Sequence, residues 1–195
     1  SQELKELTFQ DDKEHPSQLT TIGDRAFQST TLKTLTLPGS VVTIGYNAFA
    51  GMSGLTSIRL GANVGADQLV AAFVGTSALT SIEVDAANTN YASVDGVLYS
   101  KDHSHLIAYP QAKNRGGAYA VVGGVTQIDD YAFAGATIAT VTLPSSARTI
   151  GDYAFESSRL TSVTLPDSFE TIGSWAFSNA SSLTRVDLGG TTTVS

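Results

Sequence analysis

The sequence contains no cysteine. That absence removes disulfides, thiolate nucleophiles and Cys-ligated zinc or iron–sulfur sites, and it leaves the redox compartment undecided. Charge is scarce too: Asp, Glu, Lys and Arg make up 15% of the 195 residues, against a usual value of roughly 25%. The surface must therefore be finished with Ser and Thr. Basic residues are the scarcer kind, 11 Lys and Arg against 18 Asp and Glu, for a net charge of -7. A chain of that sign is repelled by phosphate backbones and anionic headgroups, and no run of Lys or Arg reverses it, so no nucleic-acid partner is expected. No apolar run approaches the roughly 18 residues of a membrane span, and no signal peptide or lipidation motif stands out, so no direct membrane insertion is expected of this stretch. The start at Ser1 without a Met reads as a trimmed piece, so missing targeting signals say little about the parent protein.

What the sequence has is a repeat. Ile-Gly-x-x-Ala-Phe stands intact at Ile22 to Phe27, Ile44 to Phe49, Ile150 to Phe155 and Ile172 to Phe177, with Asp129 in place of Gly in Ile128 to Phe133. Successive Phe residues lie 22 apart from Phe27 to Phe49, then 24 to Phe73, 60 to Phe133, and 22 each to Phe155 and Phe177. A second half-unit, L-x-x-L-x-L, recurs seven times, at Leu4 to Phe9, Leu32, Leu55, Leu79, Ile138, Leu160 and Leu183. Alternation within it is strand periodicity, and a Gly or Pro such as Pro38, Gly61 or Pro166 ends it. Leu19, Val41, Val125, Ala147 and Phe169 hold equivalent inward places before each Ile. The x-x-Ala-Phe stretch is too short for a full helix and predicts a short helical turn. A unit of 22 residues suits one circuit of a coil, and stacked circuits predict one parallel sheet with short helical turns opposite it. The third circuit departs, with Gly65 to Ala71 replacing the Ile-Gly turn and Leu69 standing in for the Ile. The whole of 1–195 reads as one elongated domain of about seven repeats.

The long gap before Phe133 marks an insertion of roughly 86–124. Within it, Ser93 to Pro110 predicts two short strands joined by a polar turn near Lys101 to Ser104, a β-hairpin. Tyr119 to Val125 brings the chain back into phase. Gly189 to Ser195 starts a further turn without finishing it, so an uncovered end implies truncation or end-to-end contact.

With these residues assembled, the chain resembles the BspA-like leucine-rich repeats of bacterial surface proteins, whose unit is L-x-x-[LIV]-x-[LIV]-P-x-S-[VL]-x-x-I-G-x-x-A-F. Leu37 to Phe49 and Leu165 to Phe177 carry that unit closely, and Asn88 to Tyr99 with Leu106 to Pro110 resemble an insertion found in the same family. The resemblance covers almost the whole chain. It implies an α/β-type solenoid wound as a right-handed leucine-rich-repeat coil, and a secreted or cell-surface bacterial protein. Members of that family are described as adhesins that bind host matrix proteins such as fibronectin. The expected role is therefore a non-catalytic protein-binding, adhesin-like module needing no cofactor, with a structural spacer as the first alternative and a carbohydrate- or metal-binding site at the hairpin as the second.

The candidate binding residues follow from the faces. Outward strand positions are mostly hydroxyl, from Thr34 and Thr36 to Ser162 and Thr164, and carry charge at Arg59, Glu83, Arg185 and Asp187. Tyr91, Tyr99 and Tyr109 in the insertion supply the aromatic side chains that interface hot spots favour, balanced against a role in anchoring the insertion. Trp175 shares a variable position of the turn with Tyr46, Tyr131 and Tyr153, an aromatic row expected on the surface. His103 and His105 could place two imidazoles on one strand face, but no third ligand is fixed, so no metal is expected. Asp85, Asn88, Asn90 and Asp95 match turn chemistry better than a calcium loop. Neither Ser93 nor Ser104 sits in a nucleophile elbow beside Asp102 and His105, and the adjacent pairs Asp11-Asp12 and Asp129-Asp130 diverge, so no enzyme is expected.

Overall fold

In the computed structural model the described residues are 7–9, 14–66 and 69–187, together with the backbone of 193–194. Leu4 to Glu6 of the first expected strand, Asp11 and Asp12, Asp67 and Gln68 of the third circuit, and Leu188 to Thr192 with Ser195 lie outside them.

Each regular coil carries two strands. The expected L-x-L strand recurs as β2 (Thr34–Thr36), β4 (Ser57–Leu60), β5 (Ser81–Val84), β11 (Thr140–Thr142), β13 (Ser162–Thr164) and β15 (Arg185–Asp187), and the same row gains β9 (Ala118–Ala120), which the sequence pattern did not mark. Its central apolar residue points inward: Leu35, Ile58, Ile82, Val141 and Val163 are buried. A second strand forms at the β-branched Thr-Ile pair before the Gly, as β1 (Thr21–Ile22), β3 (Thr43–Ile44), β12 (Thr149–Ile150) and β14 (Thr171–Ile172). It continues in β10 (Gln127–Ile128) and β16 (Thr193–Val194). Both kinds pair in parallel with like residues in register, Ile22 on Ile44, Val141 on Val163 and Ile150 on Ile172. The single parallel sheet expected from the sequence is thus corrected to two rows of parallel strands, because the chain is extended twice per circuit. At the corner between the rows, Pro38, Pro144 and Pro166 each open a turn closed by the inward residue, Val41, Ala147 or Phe169, at 3.0–3.2 Å.

The expected short helical turns are also corrected, since the described residues contain no helix. Arg25, Asn47, Ala71, Tyr131, Tyr153 and Trp175, just before Ala-Phe or Ala72-Phe73, all have φ of 55–59°. A second left-handed residue follows two after the Phe, at Ser29, Gly51, Gly75, Gly135, Ser157 and Asn179. Alternate N–H groups then point along the solenoid. Those of Tyr131, Phe133 and Gly135 reach Asp152, Ala154 and Glu156 carbonyls in the next coil at 3.0, 2.7 and 2.7 Å, while Ala132, Ala134 and Ala136 bond three residues back within their own coil. A helix would spend every N–H inside one coil. Here half of them bind coil to coil, which satisfies buried backbone polar groups and fixes the pitch.

The Gly of Ile-Gly is set by that pitch. A Cβ on Gly151 would lie 2.4 Å from Asp130 Oδ1 and 2.7 Å from Asp130 N of the preceding coil, and one on Gly45 2.3 Å from Asp24 N. The aspartate one residue on is part of the same device: Asp24, Asp130 and Asp152 accept the N–H of Tyr46, Asp152 and Ser174 at 2.7–2.8 Å.

The insertion is three antiparallel strands, correcting the expected two. These are β6 (Tyr91–Val94), β7 (Val97–Ser100) and β8 (His105–Ala108). The expected first strand is broken at Asp95-Gly96, whose φ of 50° and 73° make the mirror-image turn that suits a two-residue hairpin. The tip closes the end of the L-x-L row, since Ile82 N–H donates to Gly96 O at 2.8 Å and Ser93 Oγ to Ile82 O at 2.7 Å. β8 then pairs in parallel with β10, and β9 with β11, so the second half of the insertion is already a coil.

This three-stranded sheet divides the interior. Leu98, Tyr91 and Ala108 pack with the N-terminal core, whereas Val97, Tyr99, Leu106 and Tyr109 pack with the C-terminal one. Neighbours along β7 face opposite ways and both faces are apolar. The aromatic columns divide in step. Phe27, Phe49 and Phe73 stack at 6.0 and 5.7 Å in one, while Tyr109, Phe133, Phe155 and Phe177 stack at 4.9, 4.8 and 5.3 Å in the other.

Candidate binding surfaces

The L-x-L row presents two outward columns per half. Thr34, Ser57 and Ser81 stand in register beside Thr36, Arg59 and Glu83; further on, Ala118, Thr140, Ser162 and Arg185 stand beside Ala120, Thr142, Thr164 and Asp187. Of the seven residues singled out from the sequence, the four charged ones lie here, each with a partner on or beside the row. Arg59 meets Asp85 at 3.2 Å and opposes Glu83 in register, Glu83 accepts the Ser81 hydroxyl, and Arg185 Nε reaches Asp187 Oδ1 at 2.6 Å. The Ala87 N–H, then Arg59, holds the Asp85 carboxyl below the usual carboxylate range. Exposed pairs of this kind are weak, so a partner can displace them at small cost.

The three tyrosines are placed elsewhere. Tyr91, Tyr99 and Tyr109 are all buried, at 3%, 0% and 3% exposure, so they anchor the dividing sheet and present nothing to a partner of the folded chain. Burial is the main reason that the phenols of Tyr99, Tyr109 and Tyr119 are pushed up from their ordinary range. The Tyr99 and Tyr119 hydroxyls meet at 2.5 Å, and Tyr109 donates to Lys113 O at 3.1 Å. Tyr119 was the partner that sequence reasoning lacked.

The residues weighed as ligands serve the frame. Asn88 is buried, donates to Gly61 O at 2.9 Å, and accepts the N–H of Asn90 and Tyr91. The His103 ring leans on Tyr99 with centroids 5.9 Å apart, while His105 Nδ1 lies 2.8 Å from Asp129 Oδ1. The two imidazoles are therefore committed to different neighbours. Burial pushes the Asp129 carboxyl up, opposed by His105 and Gln127. His105 and Asp129 border a recess of about 260 Å³ with Asp102, whose carboxylate takes the Ser100 and Ser104 hydroxyls. Among the described residues no group of three or more His, Asp or Glu is arranged to hold a metal ion.

The turn edge carries the aromatic row. Tyr131 and Tyr153 stack with centroids 5.0 Å apart and planes 4° from parallel, and Tyr153 and Trp175 at 6.5 Å and 4°. Trp175 is 67% exposed. Tyr46 differs from the other three: it sits one residue earlier in its turn, where Asn47 takes the left-handed position. Even so, Tyr46 is near enough that, after burial, it is the next influence raising the Tyr131 phenol, followed by Tyr153, Glu156 and Asp130.

The two left-handed positions of each coil make an internal comparison. The later one is filled by small or polar residues, Gly51, Gly75, Gly135 and Asn179, which suit the conformation, and Ser29 and Ser157, which carry some strain in it. The earlier one, with the same φ, holds Tyr131, Tyr153 and Trp175, for which it costs about 1–2 kcal/mol each. Two stacked pairs return about 0.5–1.5 kcal/mol apiece. Backbone preference does not account for these aromatics, and stacking offsets their strain only in part.

The family comparison agrees with the geometry. A family model described as the BspA type leucine rich repeat region matches residues 2–95 and 121–195 in six copies. A leucine-rich repeat protein of solved structure from Eubacterium ventriosum is 28% identical with a TM-score of 0.77, over 87% of this chain and 45% of that one. The pneumococcal vaccine antigen PcpA is 30% identical with a TM-score of 0.66, over 87% of this chain and 47% of its own. A leucine rich cell surface protein from Faecalibacterium prausnitzii, 20% identical over 92% of this chain and 72% of that one with a TM-score of 0.52, shares the fold. The chain thus spans about half the length of the first two. No curated protein sequence matches it significantly. No helix of the described residues is long and apolar enough to cross a membrane. Repeat unit, paired parallel rows and matched segments together place the chain in the BspA-type leucine-rich-repeat family.

Proposed function

We propose that residues 1–195 act as one non-catalytic protein-binding domain of a bacterial cell-surface or secreted protein, adhesin-like in that many weak contacts on a rigid frame capture a host matrix protein. The observation that carries this reading is the L-x-L row, a long array of outward hydroxyls with charge at Arg59, Glu83, Arg185 and Asp187, held in register by parallel pairing. The relatives are in keeping with it: one is described as a vaccine antigen and another, which shares the fold, as a cell surface protein.

Surface plasmon resonance over immobilised fibronectin, laminin and collagen tests it. Saturable binding to one of them, weakened at least tenfold by Arg59→Glu with Arg185→Glu and unchanged melting, is the expected result. A second reading, a spacer that extends another domain, is favoured by hydroxyls already spent on the frame: Thr56, Thr80, Thr161 and Thr184 each donate to a carbonyl of a neighbouring coil at 2.9–3.1 Å. Binding to none of the three proteins would leave that reading standing.

A further inference from the structure

We infer that the stacked edge of Tyr131, Tyr153 and Trp175 is a second docking surface, and that its partner is a cationic, Arg- or Lys-bearing protein segment. The inference rests on the reading of the domain as protein-binding, but on a different face from the L-x-L row.

The edge is aromatic and partly exposed, with Tyr131 and Tyr153 half-buried and Trp175 exposed. One ring projects per coil from the same backbone conformation, with φ of 59°, 56° and 58°, so the three side chains leave the coil in parallel. Tyr46 and Val70, exposed at 49% and 48%, extend the apolar character along the same turn edge in the N-terminal half. Tyr and Trp are the residues in which interface energy concentrates.

Charge names the partner. Asp130 and Asp152 stand one residue before Tyr131 and Tyr153, and Glu156 stands three after Tyr153. Each of the two aspartates commits Oδ1 to an N–H of the next coil. Among the described residues, none of the three carboxylates is ion-paired to a Lys, Arg or His. On the L-x-L row, by contrast, Arg59, Arg185 and Asp187 are ion-paired. An aromatic strip bordered by unmatched carboxylates fits the apolar stem and charged head of Arg or Lys, the stem lying on ring edges and the head reaching a carboxylate. Trp175 stacks on Tyr153 and is the most exposed ring of the row. A sugar is the poorer fit: it stacks on ring faces, and within the row those faces cover one another.

Trp175 is the sole tryptophan, so its emission reports on this edge alone. The probes are a fluorescein-labelled nonamer of arginine followed by anisotropy, a labelled nonamer of glutamate, and unlabelled cellohexaose followed by Trp175 emission. The arginine nonamer is expected to bind saturably in low salt and to perturb Trp175. Binding should weaken at least tenfold in Tyr153→Ser with Trp175→Ala, and at least fivefold in Asp130→Asn with Asp152→Asn, which keeps both Oδ1 acceptors. Asp167→Asn with Glu170→Gln removes the same charge at the Pro166 corner and should change affinity less than twofold, which separates a site from attraction to the net charge of -7. Melting curves check that each variant is folded. Equal loss in the two charge variants, equal binding of the glutamate nonamer, or response to cellohexaose alone would each overturn the inference. Loss of the edge's binding with matrix binding retained by the L-x-L row would separate this inference from the proposed function.

Discussion

Tyr99 on β7 and Tyr119 on β9 bring their hydroxyls to 2.5 Å inside the C-terminal core, with Tyr109 against Tyr119 at a ring separation of 4.8 Å. Burial is the leading cause of the upward shift in all three phenols. A phenol held neutral in the fold binds its proton more tightly there than in the unfolded chain. Its contribution to stability is complete below about pH 10 and is lost as pH rises beyond it. In an alkaline titration, the absorbance step of these three tyrosines should coincide with loss of the far-ultraviolet circular dichroism signal. Tyr99→Phe should cost about 1 kcal/mol by stranding the Tyr119 hydroxyl, and adding Tyr119→Phe should cost less than the two single changes summed. Gradual ionisation of all seven tyrosines with dichroism intact would show that the core does not shield them.

The Ile-Gly motif makes a sharper test because the same glycine has different neighbours. Gly151→Ala drives a methyl to 2.4 Å from Asp130 Oδ1 and 2.7 Å from its backbone N, whereas Gly23→Ala meets nothing within 4 Å. Overpacking against backbone should destabilise Gly151→Ala by about 1–3 kcal/mol. Gly23→Ala should be neutral or stabilise by up to about 1 kcal/mol through the unfolded chain. Urea melts of the two variants decide it, and equal costs would mean that coil-to-coil approach is not what the glycine serves.

The sequence announced the stacking because like residues at a fixed spacing fill like places: Phe49, Phe133 and Phe155 fall in columns as their period demands. The Thr-Ile row was hidden, since two residues cannot display an alternation. The turn was misread because Gly-x-x-Ala-Phe satisfies a helical turn and a pair of left-handed residues equally well, and only the N–H groups aimed at the next coil separate the two. Tyr91, Tyr99 and Tyr109 were offered to a partner on the strength of residue type. A signal against that existed: Val97-Leu98-Tyr99 is apolar without a break, the pattern of a strand covered on both faces. Tyr46 was assigned to the aromatic row by residue type, although its count from Ala-Phe is one off.

Left-handed strain can be relieved one position at a time. Ser157 has φ of 54° at the position where Gly135 has 69°, and its N–H bonds to Ser178 O at 2.8 Å in either case. Ser157→Gly should therefore stabilise by up to about 1 kcal/mol, since the strained conformation carries a cost of about 1–2 kcal/mol that part of the extra chain entropy cancels. Gly135→Ala should destabilise, both by imposing that strain and by placing a Cβ 2.7 Å from Gln111 Nε2. Thermal melts that move both variants in one direction would contradict the assignment of this row to backbone preference.

The acid limb of stability tests the turn between β7 and β8. Asp102 accepts the Ser100 hydroxyl at 2.7 Å, the Ser104 N–H at 3.0 Å and the Ser104 hydroxyl at 2.8 Å, and these bonds hold its carboxyl well below the usual range, Ser100 foremost. Asp85 is lowered in the same sense by the Ala87 N–H and Arg59, while half-buried Asp129 is raised and opposes them, so the wild-type profile alone blends three carboxyls. A lowered carboxyl supplies stability above its unfolded value, about 3.9, and loses it as pH falls through the folded one. Asp102→Asn isolates that share because the amide keeps the shape and does not titrate. The variant should melt below wild type at about pH 5, and the gap should narrow as pH is lowered to about 2.5, where Asp102 of the unfolded chain has taken up its proton while the folded carboxylate still resists doing so. A gap independent of pH would mean that the three hydrogen bonds do not depend on the carboxylate's charge.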